Sequence, residues 1–148
     1  MRYLFCLLVV LSSCGQAAYF SETTVIPETG WSYTDNLSAT ISIPDTANVF
    51  DLVLSIKHSE AYDYQNLYLK TETIFPNQDS VEDVISIPFV DEEGYWYGKG
   101  SSEKQFKSIL QENFKFLNAG DHTINLYQHS RDEVLQGIIE LGLELIEK

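Results

Sequence analysis

The stretch from residue 50 to residue 57 has an apolar side chain at every second position, and this pattern most restricts how the chain can fold. Phe50, Leu52, Leu54 and Ile56 are the apolar members. Successive side chains of an extended strand point to opposite faces, so the pattern predicts a half-buried β-strand. Similar short apolar runs, separated by turn-forming residues, recur about every ten residues, which is typical of a β-sandwich or barrel.

These runs predict an all-β fold, an antiparallel, jelly-roll-like β-sandwich of about eight strands. Further strands are expected at residues 19–26, 38–43, 65–75 and 81–90, with a glycine-flanked aromatic segment at 94–100. Residues 114–117 and 123–129 are expected to pair as a hairpin, because the turn-forming residues 118–121 lie between them.

Two segments depart from a simple strand pattern. Residues 101–110 are predicted to form one short helix, with Ser101 or Ser102 as its N-cap and with Phe106, Ile109 and Leu110 on one apolar face. Residues 134–146 fit either an amphipathic helix or a strand. Their two glycines favour the strand, because each would cost a helix about 1 kcal/mol.

The first residues follow the order of a bacterial lipoprotein signal. Arg2 precedes an uncharged apolar stretch at residues 3–11, and two serines precede Cys14. The stretch is shorter than the roughly 20 residues that span a bilayer and suits a signal peptide. We therefore predict a signal peptide at 1–13, lipidation of Cys14, a tether at 14–18 and one domain at 19–148. An Asp after the lipidated Cys retains a lipoprotein at the inner membrane, so Gly15 favours the outer membrane. Residues 16–18 contain no acidic cluster of the kind that directs lipoproteins to the cell surface, so we expect the periplasmic face.

The composition disfavours several classes of function. A formal net charge of −13 argues against nucleic acid as a partner, because phosphate binding needs cations. The chain contains no G-x-S-x-G, H-E-x-x-H or P-loop motif, so we expect no enzyme, no catalytic residue and no cofactor. With Cys6 removed in the signal and Cys14 lipidated, no disulfide is expected either.

Histidines and acids give weak metal signals. His58, His122 and His129 could meet to hold zinc, and the acidic run at 91–93 could bind calcium. The histidine spacing lacks a third close ligand, and the acidic run lacks the alternating oxygen ligands of a calcium loop. Structural or exposed histidines and a solvated loop are therefore favoured, and no metal is expected.

Aromatic residues provide the candidate interaction surface. On a strand, Tyr95 and Tyr97 would face one side and Trp96 the other, so one side would present rings away from the core. Packing of one face against the core is the alternative. Tyr62 and Tyr64 lie opposite the apolar Leu67 and Leu69 in their own segment, and they extend the expected surface patch.

Two short strings suggest modification. Thr46 and Ser80 each follow an Asp and precede an apolar residue, which matches an O-glycosylation pattern of bacterial periplasmic proteins. Both lie at predicted turns, where access is easy.

Several segments together resemble a known family. They are Trp31, the string YDYQNLYL at 62–69, GYWYGKG at 94–100, Gly120 with Gln128 and Arg131, and LQGIIELGL at 135–143. In this order, and with the lipoprotein signal that ends at Cys14 before them, they resemble the GldH gliding-motility lipoproteins of Bacteroidetes. The chain departs from the family pattern at Lys57 and His58, where an Arg usually ends the strand, and at Ser130.

The resemblance implies a lipid-anchored β-sandwich without catalytic activity that acts in the gliding machinery and the secretion system coupled to it. Its expected partners are the membrane, through the N-terminal lipid, and other gliding or secretion lipoproteins of the envelope. The alternative is a carbohydrate- or peptidoglycan-binding periplasmic lipoprotein that uses Tyr95, Trp96 and the nearby tyrosines to stack on sugars.

Overall fold

A computed structural model describes residues 17–148, so the expected signal peptide and Cys14 lie outside the described residues. The described residues form ten strands: β1 (Phe20–Val25), β2 (Trp31–Ser32), β3 (Asn36–Ile43), β4 (Phe50–Ser59), β5 (Asn66–Ile74), β6 (Ser80–Pro88), β7 (Glu103–Phe114), β8 (Gly120–Gln128), β9 (Val134–Leu135) and β10 (Ile138–Glu147).

The eight longer strands form two antiparallel four-stranded sheets. The first sheet has the order β1-β10-β4-β7 and the second has the order β3-β8-β5-β6, while β2 and β9 form a separate short pair. Apart from the β5–β6 hairpin, successive long strands alternate between the two sheets, in the manner of a jelly roll built from two Greek keys. The predicted antiparallel β-sandwich is confirmed.

The core lies between the two sheets and is built by the period-two pattern. In β3 every second residue is buried, beginning at Leu37. Leu54 and Ile56 of β4 meet the core from the first sheet, and Leu67 and Leu69 of β5 meet it from the second. Each fully buried side chain of this size contributes roughly 1.5–3 kcal/mol through removal of apolar area from water.

The antiparallel topology gives the sandwich two distinct ends. At the N-terminal end the chain enters at Tyr19, and the turns at 44–49, 75–79 and 115–119 lie there. At the far end lie the connections at 26–35, 60–65, 89–102 and 129–137. Every functional candidate within residues 17–148 can be assigned to one of these ends.

The predicted helix at 101–110 is wrong, because those residues belong mainly to strand β7. β7 pairs along almost its full length with β4, and its half-buried positions alternate from Lys104 through Phe106 to Leu110. Phe106 and Leu110 therefore face the core, whereas Ile109 is 51% exposed. The pairing with β4 overrides the local N-cap signal.

The predicted hairpin is also wrong. A connection does lie close to residues 118–121, between β7 and β8. These two strands belong to different sheets, so the chain crosses the sandwich there instead of forming a hairpin.

The C-terminal segment is a strand, as the glycines suggested. Gly137 has a φ of +84°, and a register shift follows between Ile138 and Glu140. Leu141, Leu143 and Leu145 beyond it are buried. No helix within residues 17–148 is long and apolar enough to cross a membrane.

Candidate functional site

Apart from Tyr19 at the N-terminal end, the exposed aromatic side chains of the loops lie at the far end of the sandwich. Tyr64 lies in the connection after β4, residues 95–97 lie in the connection before β7, and Tyr33 lies in the connection at 26–35. Tyr95 is the most exposed of these rings, at 72%. Large exposed aromatic rings on loops are enriched at binding surfaces, so this end is the candidate functional site.

The aromatic segment is an ordered loop rather than a continuous strand. One carboxylate oxygen of Asp91 accepts hydrogen bonds from the backbone N–H groups of Glu93 at 3.0 Å and Tyr95 at 2.8 Å. The N–H of Tyr97 donates to the carbonyl of Phe89 at 2.8 Å. Asp91 therefore organises the loop backbone.

Tyr62 does not lie on the surface, which corrects its assignment to the exposed patch. Its side chain is only 3% exposed, and its hydroxyl donates to the carbonyl of Asn66 at 2.7 Å. Burial raises the pKa of the Tyr62 hydroxyl well above its ordinary value. The turn between β4 and β5 folds inward here, where a Cβ on Gly137 would lie 2.2 Å from the Tyr62 nitrogen.

His58 stands at the centre of an aromatic cluster. Its ring lies 4.8 Å from Phe89, 5.4 Å from Trp96, 6.0 Å from Tyr62 and 6.2 Å from Phe106, measured between ring centroids. The side chain is only 3% exposed. Of the candidate aromatic residues, Tyr62 and Trp96 thus meet on one histidine, whereas Tyr95 makes no ring contact that the structure records.

The two ring nitrogens of His58 differ. Nδ1 lies 3.3 Å from the carbonyl oxygen of Ser59, whereas Nε2 is buried and has no hydrogen-bond partner within residues 17–148. Desolvation lowers the pKa of His58, and the nearby positive charge of Lys104 lowers it further. The hydrogen bond to the Ser59 carbonyl raises this pKa, but the net shift is downward. Because a carbonyl can only accept, Nδ1 carries the proton of the neutral ring and Nε2 is an unused acceptor.

A cleft of about 170 Å³ opens beside this cluster. The turn after β4 forms one side, and Trp96 with the start of β7 forms the other. The residues that line the cleft are His58, Ser59, Glu60, Tyr62, Trp96, Ser102 and Lys104.

A second, wider groove of about 600 Å³ runs along the outer face of the second sheet. The Tyr64 hydroxyl donates to Asp132 at 2.6 Å, and this bond raises the pKa of Tyr64. Tyr62, Tyr64, Asn66, Tyr68, Val84, His129, Ser130 and Arg131 line the groove. Tyr64 thus borders a different surface from Trp96, and the buried Tyr62 lies between them.

The three histidines do not meet. His58 is at the far end of β4, whereas His122 lies near the opposite end of β8 and packs 4.6 Å from Phe116. His129 is at the far end but exposed. Within residues 17–148 no three His, Asp, Glu or Cys side chains are placed to hold a metal ion.

The candidate glycosylation residues lie at the opposite end of the sandwich from the aromatic segment at 95–97. Thr46 occupies the turn between β3 and β4, where the Ala47 N–H donates to Asp45 at 2.9 Å, and Ser80 begins β6. Both positions are at the N-terminal end of the sandwich.

Sequence reasoning missed His58 as the centre of the site. The signal was present in the alternation of β4, because Leu54, Ile56 and His58 occupy successive inward positions. A polar ring that continues an apolar series marks a residue whose burial needs an explanation.

Two comparisons place this architecture in a family. A protein of Christiangramia forsetii named "Gliding motility lipoprotein GldH homolog" is 27% identical over 146 residues, an alignment that covers 93% of this chain and 89% of that protein. Residues 18–145 match the family model described as GldH lipoprotein, a match that includes both sheets and the far-end loops. The chain therefore belongs to the GldH lipoprotein family.

Proposed function

We propose that the protein is a lipid-anchored, non-enzymatic component of the gliding-motility machinery. It assembles or stabilises an envelope complex that is linked to the secretion of surface adhesins. The observation that carries this proposal is the position of Tyr95, Tyr97 and Tyr64, which lie exposed at the end of the sandwich opposite the N-terminal segment. The family membership supplies the system in which the complex acts.

The geometry supports a tethered adaptor. Only four residues lie between Cys14 and Tyr19, so a lipid on Cys14 would hold the N-terminal end close to the membrane. The aromatic end would then point away from it, towards other envelope proteins. Tyr and Trp rings contribute strongly at protein interfaces because they combine apolar area with a polar tip.

The location we propose is the periplasmic face of the outer membrane. Stable anchoring there needs several acyl chains, because a single chain binds only marginally. Glycans on Thr46 and Ser80 would lie at the N-terminal end, where they would leave the aromatic end free for a protein partner.

Crosslinking in intact cells followed by affinity purification of the full-length lipoprotein tests the proposal. The wild-type protein should co-purify with other envelope lipoproteins, and a Tyr95→Ala, Tyr97→Ala variant should lose them and reduce gliding. Leu117→Ala is the matched control, because it removes an exposed apolar side chain at the N-terminal end. Equal recovery of partners by both variants would refute the assigned surface, and failure of palmitate to label Cys14 would refute the anchor.

A further inference from the structure

We propose that the cleft between Trp96 and the turn after β4 binds one neutral sugar ring of a glycan, with His58 as the hydrogen-bond acceptor at its base. This site is separate from the exposed tyrosines assigned above to a protein partner.

The unused acceptor of His58 is the first argument. Nε2 is buried without a partner inside a cluster of four aromatic rings, although buried polar atoms in native proteins are almost always hydrogen-bonded. With Nδ1 directed to the Ser59 carbonyl, Nε2 can only be satisfied by a donor. A sugar hydroxyl is such a donor, and it carries no charge that Lys104 would repel.

The walls of the cleft are the second argument. Trp96, which is 38% exposed, supplies a flat ring that suits the apolar C–H face of a sugar, and the buried Tyr62 forms part of the cleft wall behind it. Ser59 and Ser102 supply hydroxyl groups on the rim, where they can both donate and accept. A few polar groups around aromatic surface is the usual composition of a small-molecule site.

Charge and size narrow the ligand class. The cleft is lined by one carboxylate, Glu60, and one ammonium group, Lys104, which donates to the Gly100 carbonyl at 3.3 Å. These opposite charges favour a neutral ligand. The cleft volume of about 170 Å³ equals about six waters at roughly 30 Å³ each, which is space for a single ring.

Access to Nε2 requires a small movement of the Trp96 side chain, because the atom is covered in the structure. The hydrogen bonds of Asp91 hold the loop backbone in place, whereas the Trp96 side chain is 38% exposed. A rotation of the indole ring about its side-chain bonds can therefore open the cleft and place the ring over a bound sugar.

Titration of the full-length mature lipoprotein in lauryldimethylamine oxide micelles tests the site, since this detergent contains no sugar. The probes are N,N′-diacetylchitobiose, cellobiose and maltose, followed by intrinsic tryptophan fluorescence and by calorimetry. Trp31 is 1% exposed, so a fluorescence change would report on Trp96. We expect saturable binding of at least one probe.

The variants separate this site from the protein-binding surface. Trp96→Ala and His58→Phe should each weaken sugar binding at least about tenfold, as expected for loss of a stacking surface or a hydrogen bond. Tyr95→Ala, which alters the same loop outside the cleft, should leave sugar affinity unchanged while weakening partner recovery. Ser102→Ala is a second rim variant with little effect on folding and should weaken binding severalfold.

Two outcomes would overturn the proposal. One is the absence of saturable binding for all three probes by calorimetry. The other is unchanged affinity in a folded His58→Phe protein, with folding confirmed by its near-ultraviolet circular dichroism. Neither outcome bears on co-purification with envelope lipoproteins, so this inference and the proposed function can fail independently.

Discussion

The buried Nε2 atom of His58 has no hydrogen-bond partner within residues 17–148, and this destabilises the folded state. A residue with a structural role alone would gain nothing from such an atom. A buried acceptor without a hydrogen bond costs about 1–3 kcal/mol, and the four rings around His58 would accept another aromatic ring. Phe in this position would keep the packing and remove the unpaired nitrogen, and the Ser59 carbonyl that Nδ1 contacts would still accept a hydrogen bond from the Tyr62 N–H at 3.2 Å. A site that retains the less stable residue is more easily explained by binding than by folding.

We predict from this that His58→Phe raises the free energy of unfolding by about 1 kcal/mol. The expected result is a higher urea midpoint with an unchanged dependence on urea concentration, measured at pH 7.5 by circular dichroism. A loss of stability would show that Nε2 is satisfied in solution, and it would remove the argument above.

The same residue predicts how stability depends on pH. The folded state lowers the pKa of His58 below its ordinary value of 6.5, so below that value the unfolded chain binds more protons than the folded one. Stability should therefore be complete above about pH 7 and fall as the pH drops through 6.5. Urea unfolding between pH 7.5 and pH 5.5 measures this fall, which should be smaller in His58→Phe.

Asp51 acts in a separate and more acidic range. Its hydrogen bonds from Lys148 and from the Asn113 backbone lower its pKa below 3.8, so its contribution persists until the pH falls to that region. An equal loss of stability in wild type and His58→Phe between pH 7.5 and pH 5.5 would show that groups other than His58 cause it.

At the scale of elements, strand β7 shows where local sequence patterns are insufficient. Phe106, Ile109 and Leu110 fit one face of a helix, but Phe106 and Leu110 also fit one face of a strand. The choice is made by β4, which pairs with β7 from more than forty positions away in the sequence. Local spacing contains no information on that partner.

Two substitutions distinguish the strand from a helix in solution. Ile109→Thr should change stability by less than about 0.5 kcal/mol, because its side chain is exposed. Leu110→Thr should cost about 2 kcal/mol, because Leu110 packs against the core. Threonine suits strands in both positions, so urea midpoints compare burial alone. Similar costs at both positions would contradict the strand.

The site was only partly predictable for the same reason. The exposure of Tyr95, Trp96 and Tyr97 follows from a glycine-flanked aromatic segment that is too rich in rings for one buried face. The meeting of Trp96 with His58 and Tyr62 depends on how β4, β7 and the turn after β4 converge. The error at 118–121 is similar, because the same turn residues serve a hairpin and a crossover between sheets.

At the scale of the whole molecule, the jelly-roll topology separates functions by distance. β7 alone has 12 residues and therefore extends about 40 Å at roughly 3.3 Å per residue. The aromatic loop precedes the start of β7, and the turn that contains Leu117 follows its end. Alternation and regular turn spacing predict a sandwich of this kind, but only the strand order shows that the exposed aromatic loop and the N-terminal segment lie at opposite ends.

This polarity predicts the orientation of the lipidated protein on a membrane. The five residue-to-residue steps from Cys14 to Tyr19 span at most about 18 Å when extended, so the N-terminal end should lie near the lipid headgroups and the aromatic end should lie far from them. Leu117, 89% exposed, and Tyr95, 72% exposed, are matched positions for a single introduced cysteine with a fluorescent label. Energy transfer to an acceptor on the headgroups of reconstituted vesicles should be strong from Leu117→Cys and weak from Tyr95→Cys. Equal transfer from the two positions would mean that the sandwich lies flat on the membrane, which would leave the aromatic end no better placed for a partner than the rest of the surface.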